Sequence, residues 1–172
     1  MSAQPFRLVP LDAGHDRKRF DSGSAPLDRY LREQAAQDIR RRVAACFVAV
    51  TDEQRIAGYY TLASASVALS DLPEATAKKL PRYPSVPAVR MGRLAADRDF
   101  KGAGLSGALL ADALQRSAHS EIAAYALIVD AKDETAADFY KHHGFIALPS
   151  SALRLFLPLA TVSGLTTARS TR

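Results

Sequence analysis

A chain of 172 residues, 48% apolar and 24% charged, has the size and balance of one soluble globular domain with a real core. Lys and Arg outnumber Asp and Glu by 23 to 18, a surplus compatible with a polyanionic partner. There is no eighteen-residue apolar run to make a transmembrane helix, no basic-then-apolar order of a signal peptide in "MSAQPFRLVPLDAG", and a single cysteine, so a cytoplasmic protein is expected.

In chain order, "FRLVPL" predicts a first strand. "SAPLDRYLREQAAQDIRRRVA" predicts a helix with Ser24 as N-cap, Pro26 in the first turn, and Leu27, Tyr30, Leu31 and Ala35 along one face. "ACFVAVT" and "RIAGYYTLASASVAL" predict strands joined by "DEQR", with Cys46 as a buried thiol. "LPRYPSVPAV" reads as a loop stiffened by prolines, and "VRMGRLAAD" as the next strand. "LSGALLADALQRSAHS" predicts a helix and "AAYALIVDA" a buried strand. "DETAADFYKHHG" predicts a helix capped by Asp133 and stopped by Gly144; "FIAL" and "LRLFLPL" close the sheet. The order predicts an α/β fold, a mixed central β-sheet flanked by helices, in a single domain over 1–163 with a polar tail over 164–172.

The stretch "KGAGLSGALL" raises the first chemical question. It follows a strand and opens a helix, where the first amides have no intrahelical partner and lie at the positive end of the dipole. A pyrophosphate satisfies both conditions. The Walker pattern is absent, since no Gly-Lys-Ser/Thr closes the loop, and the spacing is wrong for a dinucleotide fingerprint. A pyrophosphate ligand held by backbone, such as coenzyme A, remains, beside an ordinary glycine turn.

Two motifs decide between them. "KGAGLS" resembles the phosphate loop Arg/Gln-x-x-Gly-x-Gly/Ala of the GNAT superfamily of N-acetyltransferases, with Lys101 and Ser106 as departures. "DETAADFYKHHGF" resembles that family's Asn-x-x-Ala-x-x-Phe-Tyr…Gly-Phe pattern, with Asp133 in the Asn position. From about Phe20 to Val162 the chain further resembles the acetyltransferase toxins of bacterial toxin–antitoxin pairs. The resemblance implies the GNAT fold, acetyl-CoA as acetyl donor, and transfer to the α-amino group of aminoacyl-tRNA, which blocks translation. It also implies a ribbon-helix-helix antitoxin as partner, DNA contact only through that antitoxin, and a homodimer.

Residue by residue, the resemblance assigns Leu94, Ala95 and Ala96 to the pantetheine arm and Lys101, Gly102, Ala103, Gly104, Leu105, Ser106 and Gly107 to the pyrophosphate. Asp133 and Phe139 fall at the cofactor as well, and Tyr140 takes the place of the catalytic tyrosine. A phenol with pKa about 10 is protonated at neutral pH and able to protonate a departing thiolate. No carboxylate lies between Ala88 and Ala96, where many acetyltransferases keep a base. A lysine amine, at about 10.4, needs one more than an α-amine at about 7.7–8.0. Basic residues expected to meet tRNA are Arg40, Arg41 and Arg42, with Arg29 and Arg32 upstream on the same helix, then Lys78, Lys79, Arg82, Arg90, Arg93 and Lys141. The histidines have no metal-ligand spacing, and "KHH" reads as the polar end of a helix. Two other readings stay open: an acetyltransferase for protein N-termini or small amines, and a non-catalytic acyl-CoA-binding domain, which the departures at Ser106 and Asp133 would favour.

Overall fold

The computed structural model of the protein describes residues 6–162; the tail expected over 164–172 lies outside them. The described strands are β1 (Arg7–Pro10), β2 (Ala45–Val50), β3 (Ile56–Ala68), β4 (Ser85–Ala96), β5 (Ala126–Asp130), β6 (Ile146–Leu148) and β7 (Ser151–Pro158). They form one mixed sheet in the order β1-β2-β3-β4-β5-β7-β6. Helices are α1 (Ala25–Arg29), continued by a π-turn (Tyr30–Gln34) into α2 (Ala35–Arg40), then α3 (Glu74–Ala77), α4 (Leu105–Ala118) and α5 (Glu134–His142). The chain divides into two compact units, one of residues up to Ala63 with Gly92–Ala113, the other of Ser64–Met91 with residues from Leu114 on.

In the first unit β1, β2 and β3 form an antiparallel meander, with Val9 opposite Val48 and Val48 opposite Tyr59. Its core gathers Phe20, Leu31, Ala35, Cys46, Val48, Val50 and Tyr59, and Cys46 is buried as expected. The helix expected over one continuous span differs in two ways. The Ser24 hydroxyl caps nothing; Asp28, buried in the first turn, reaches back to accept from Ser22 N (2.9 Å) and Ser22 Oγ (2.7 Å). The helix also ends at Arg40, not beyond Arg42. Arg42 takes φ +61°, and Val43 N and Ala44 N fold back onto Asp38 O at 3.0 and 3.4 Å. Arg41 and Arg42 are therefore turn residues, not part of the helix face expected from sequence.

The second unit holds a parallel pairing of β4 with β5 over Ala88–Met91 and antiparallel pairings of β5 with β7 and β7 with β6. Its core is built from Val67, Leu72, Val86, Ala126, Ile128, Leu148 and Phe156. One expectation is corrected here. The proline stretch is a loop only to Pro84, because β4 begins at Ser85. Pro87 fits within it: its fixed φ suits extended chain, it precedes the β5 ladder, and its carbonyl accepts from Tyr125 N at 2.8 Å. The short α3 and the 3-10 turn at Leu69–Asp71 give no periodic signal, being four and three residues long. Asp133 does cap α5, accepting from Ala136 N at 2.8 Å, and Gly144 ends it at φ +94°.

The turn after β4 is held by one buried side chain. Asp97 is 2% exposed. Its carboxylate accepts from Asp99 N (2.9 Å), from Asp21 N (2.9 Å) and from Arg55 Nη2 (3.4 Å). Around it Arg98 N donates to Asp21 O (2.9 Å), Arg98 pairs with the Asp21 carboxylate (3.2 Å), and Lys101 Nζ donates to Ser22 O (2.8 Å). Residues 97–101 are thus fastened to the segment that enters α1.

Two substitutions test this packing. A Cβ on Gly58 would lie 2.8 Å from Leu109 Cδ1 and 2.9 Å from the Ala95 carbonyl oxygen. Gly58→Ala should destabilise the protein by about 1–3 kcal/mol in a denaturant titration. Asp97→Asn turns a donor toward two backbone donors and should cost about 1–3 kcal/mol, whereas Asp99→Asn, on the exposed side of the same turn, should cost under ~1 kcal/mol.

Candidate active site

The loop "KGAGLS" lies in the first unit and has the shape expected of it. Gly102 and Gly104 adopt φ +84° and +77°, and nothing stands within 4 Å of where their Cβ atoms would be. The positive φ favours glycine, and the open space leaves the approach clear. In this segment Lys101 N bonds to Arg98 O at 3.4 Å and Ala108 N to Gly104 O at 3.1 Å; the amides between them, from Gly102 to Gly107, have no backbone partner among the described residues. Six unpaired N–H groups at the start of a fourteen-residue helix fit a pyrophosphate. Ser106 and Gly107 are half-buried in the first turn of α4, and Leu105 is buried against the core. Lys101 differs from expectation, because its ammonium is fixed to Ser22 O and so tethers the loop. Leu94, Ala95 and Ala96 complete β4 just upstream, the two alanines buried.

Arg93, three residues before Ala96, lies with its guanidinium 3.5 Å from the centroid of the Tyr30 ring. Together with Pro26, Leu27, Arg29, Glu33 and Gln34 they line a hollow of ≈ 360 Å³. The Tyr30 hydroxyl donates to Asp38 Oδ2 (2.7 Å), and Gln34 Nε2 donates to Asp38 Oδ1 (3.0 Å). These two bonds hold the Asp38 carboxyl below its ordinary range, while burial and the Asp38 bond push the Tyr30 phenol up. Sequence reading placed Tyr30 only on a core stripe. A π-turn adds a residue to the helical turn, and such turns gather at functional sites. No periodic pattern announces one.

In the second unit Tyr140 lies on α5, 7% exposed, its ring packed against Phe139 (5.2 Å) and Phe145 (5.5 Å). Burial pushes its phenol up to about 12. The hydroxyl has no hydrogen-bond partner among the described residues and is not sealed from solvent. Phe139 is half-buried and also touches His143 (4.7 Å), whose Nδ1 meets Phe139 O at 2.9 Å. "KHH" is thus the helix end expected from sequence. The Asp133 carboxylate serves the α5 cap.

The basic residues expected at tRNA fall into different settings. Arg40, Arg41 and Arg42 are exposed together at the end of α2. Lys79, Arg82 and Lys141 are exposed, and Lys78 pairs with Glu74 at 3.4 Å. Arg90 is paired with Asp130 (2.8 Å), which also accepts from Arg154 Nε (2.7 Å). Those two arginines hold the Asp130 carboxyl low against burial.

Residues 21–154 match the acetyltransferase (GNAT) domain family. The chain is 38% identical over 155 residues to a tRNA-acetylating toxin of Mycobacterium tuberculosis, covering 89% of this chain and 90% of that protein. It is 31% identical over 169 residues to a probable toxin TacT of Sinorhizobium fredii, covering 92% and 93%. It superposes on AtaT complexed with acetyl-methionyl-tRNAfMet at a TM-score of 0.86 and 32% identity, over 94% of this chain and 99% of that one. It superposes on AtaTR bound with AcCoA at 0.80 and 31%, over 94% and 98%. A Tyr-to-Phe variant of AtaT bound to the C-terminus of the antitoxin AtaR matches at 0.77 and 28%, over 93% and 97%. The family match runs from just before α1 into β7, through the loop of unpaired amides and the helix of Tyr140, and the chain is a GNAT-family acetyltransferase.

Proposed function

We propose that this acetyltransferase is a toxin that moves the acetyl group of acetyl-CoA onto the α-amino group of aminoacyl-tRNA, so that the blocked amine no longer forms a peptide bond. The observation that carries the reading is the likeness along almost the whole chain to a tRNA-acetylating toxin and to AtaT in complex with an acetylated aminoacyl-tRNA. The finer partners belong to the same proposal: a ribbon-helix-helix antitoxin, DNA reached only through it, a homodimer, and action in the cytoplasm. None of the described helices is long and apolar enough to cross a membrane.

The roles follow from the chemistry of each group. Acetyl-CoA supplies an activated thioester. The amides of Gly102–Gly107 receive its pyrophosphate, and the backbone of Leu94, Ala95 and Ala96 takes the pantetheine arm and polarises the carbonyl. The amine nitrogen bonds to the acetyl carbon as the carbon–sulfur bond breaks, and the nitrogen releases one proton to solvent. Tyr140 gives the leaving sulfur its proton and recovers one from solvent. Phe139 walls the arm, and Asp133 keeps α5, and with it Tyr140, in place. The Tyr30–Arg93 hollow receives the aminoacyl group. The exposed cations Arg40, Arg41, Arg42, Lys78, Lys79, Arg82 and Lys141, with Arg90, serve tRNA phosphates.

Tyr140→Phe should lower kcat roughly 10²-fold or more while leaving acetyl-CoA binding by calorimetry unchanged. Full activity in this variant would remove Tyr140 from the chemistry. Radiolabelled acetyl should appear on charged tRNA and not on a lysine-containing peptide with a blocked N-terminus. The raised phenol also fixes a pH window. With a folded value of about 12, Tyr140 stays protonated through pH 7–9. A phenol raised above its unfolded value of about 10 contributes stability below pH ~10 and loses it as pH climbs toward ~12. The kcat–pH profile should therefore show no basic limb from Tyr140 below pH ~10, and wild type and Tyr140→Phe should share the acidic limb of the amine.

A further inference from the structure

The π-turn Tyr30–Gln34 has a second hollow on its other side. Residues 12–19 form a loop between two core anchors. Leu11 donates its N–H to Cys46 O at 2.9 Å, and Phe20 lies edge-on to Tyr59 at 5.5 Å. Between them Asp16 bridges to Arg55, and Asp16 Oδ1 accepts from Lys18 N at 3.1 Å. His15 Nδ1 accepts from Asp12 N at 3.0 Å, which assigns the ring proton to Nε2 and leaves it free to donate. His15, Asp16, Arg17 and Lys18 line, with Arg32 and Glu33 of the π-turn, a hollow of ≈ 380 Å³.

The charges in it are not balanced internally. Arg17, Lys18 and Arg32 make no ion pair among the described residues. Two carboxylates share the lining, Asp16, which accepts from the Lys18 amide, and Glu33, which lies 3.9 Å from Arg29, so the three cations exceed the anions by one. Three cations held at one concavity beside an imidazole N–H make a site for a phosphate, with two guanidiniums suited to its oxygens. The place of the hollow names the phosphate. Glu33 lines this hollow and also the one that holds Tyr30 and Arg93, so the two share a wall.

We infer that the hollow of His15, Arg17, Lys18 and Arg32 binds a backbone phosphate at the acceptor end of the tRNA, beside the hollow that takes the aminoacyl group. This rests on aminoacyl-tRNA being the acceptor. A phosphate also occurs on the nucleotide of coenzyme A, so the test reads both substrates and includes an acceptor without phosphate, an aminoacyl ester of adenosine.

The variant is Arg17→Gln, Lys18→Gln, Arg32→Gln together, with Arg32→Gln alone, on the exposed face of the π-turn, as the form least able to disturb folding. Melting temperature checks that each folds. The expected result is a KM for charged tRNA raised about tenfold in the triple variant, with a smaller rise in the single one. The slope of log kcat/KM against log salt should fall by about 0.7–0.9, the contribution of one phosphate. The ratio of kcat/KM on charged tRNA to that on the adenosine ester should drop by a similar factor. An unchanged tRNA KM overturns the proposal. So does a raised KM for acetyl-CoA with tRNA unaffected, which would give the hollow to the coenzyme. A wild-type protein that acetylates the ester but not charged tRNA would instead overturn the acceptor reading, and the hollow's assignment with it.

Discussion

One buried carboxylate meets two backbone amides and an arginine at the end of β4, and the cofactor loop depends on it. Asp97 is fixed by its own amide to Ala57 O and by its side chain to Asp21 and Asp99. Arg55, which approaches it, is held in turn by Asp99 at 2.9 Å and lies over the Phe100 ring at 4.9 Å. Beyond this point the chain turns without further side-chain support, through two glycines with open space around them. A loop that presents six bare amides cannot stabilise itself with them. Its position has to come from the residues just before it, and Asp97, Arg98 and Lys101 supply that by bonding to Asp21 and Ser22.

The same arrangement explains which parts of the site sequence could give. The glycine loop and α5 were readable because each needs particular residues locally: positive φ at Gly102 and Gly104, a carboxylate cap at Asp133, a stop at Gly144. The strands were readable from apolar runs whose residues are buried as expected. The stretch "LPRYPSVPAV" reads as a loop because its prolines stiffen it, yet Pro87 lies within β4, where no donor to β5 is needed. The Tyr30–Arg93 stack, the Asp97 latch and the cationic hollow were not readable. Their partners are separated by tens of residues and meet only through the fold, and the π-turn changes which side chains share a face partway along a helix that otherwise looks regular.

The two departures from the family pattern have physical settings that bear on catalysis. Asparagine at the start of α5 would cap the helix through a side-chain oxygen, and Asp133 does so with an oxygen that also carries charge favourable to the helix N-terminus. Ser106 occupies the first turn of α4, where the small hydroxymethyl group leaves the amides without a partner and the adjoining Gly107 adds no bulk. Neither substitution removes what the geometry provides. The non-catalytic reading that they would favour finds no support at either position.

The acceptor side answers the question raised by the missing base. On the proposed function an amine must lose its proton near a strand that offers no carboxylate from Ala88 to Ala96. Arg93 lines the hollow assigned to the aminoacyl group, and its guanidinium has a ring as its partner in place of an anion. Glu33, the carboxylate that lines the same hollow, lies 3.9 Å from Arg29, which lines it too, and Asp38 behind it accepts from both Tyr30 and Gln34 and is kept ionised by them. On the proposed function the two guanidiniums of the lining, Arg29 and Arg93, outweigh its one carboxylate, and this excess disfavours a further cation, pushing an ammonium bound there toward its neutral form. An α-amine already close to neutrality needs only that push, while a lysine amine, more than two units higher, needs a base that β4 does not carry. The cation over Tyr30 and the absence of a glutamate on the strand then become two parts of one device for choosing the acceptor.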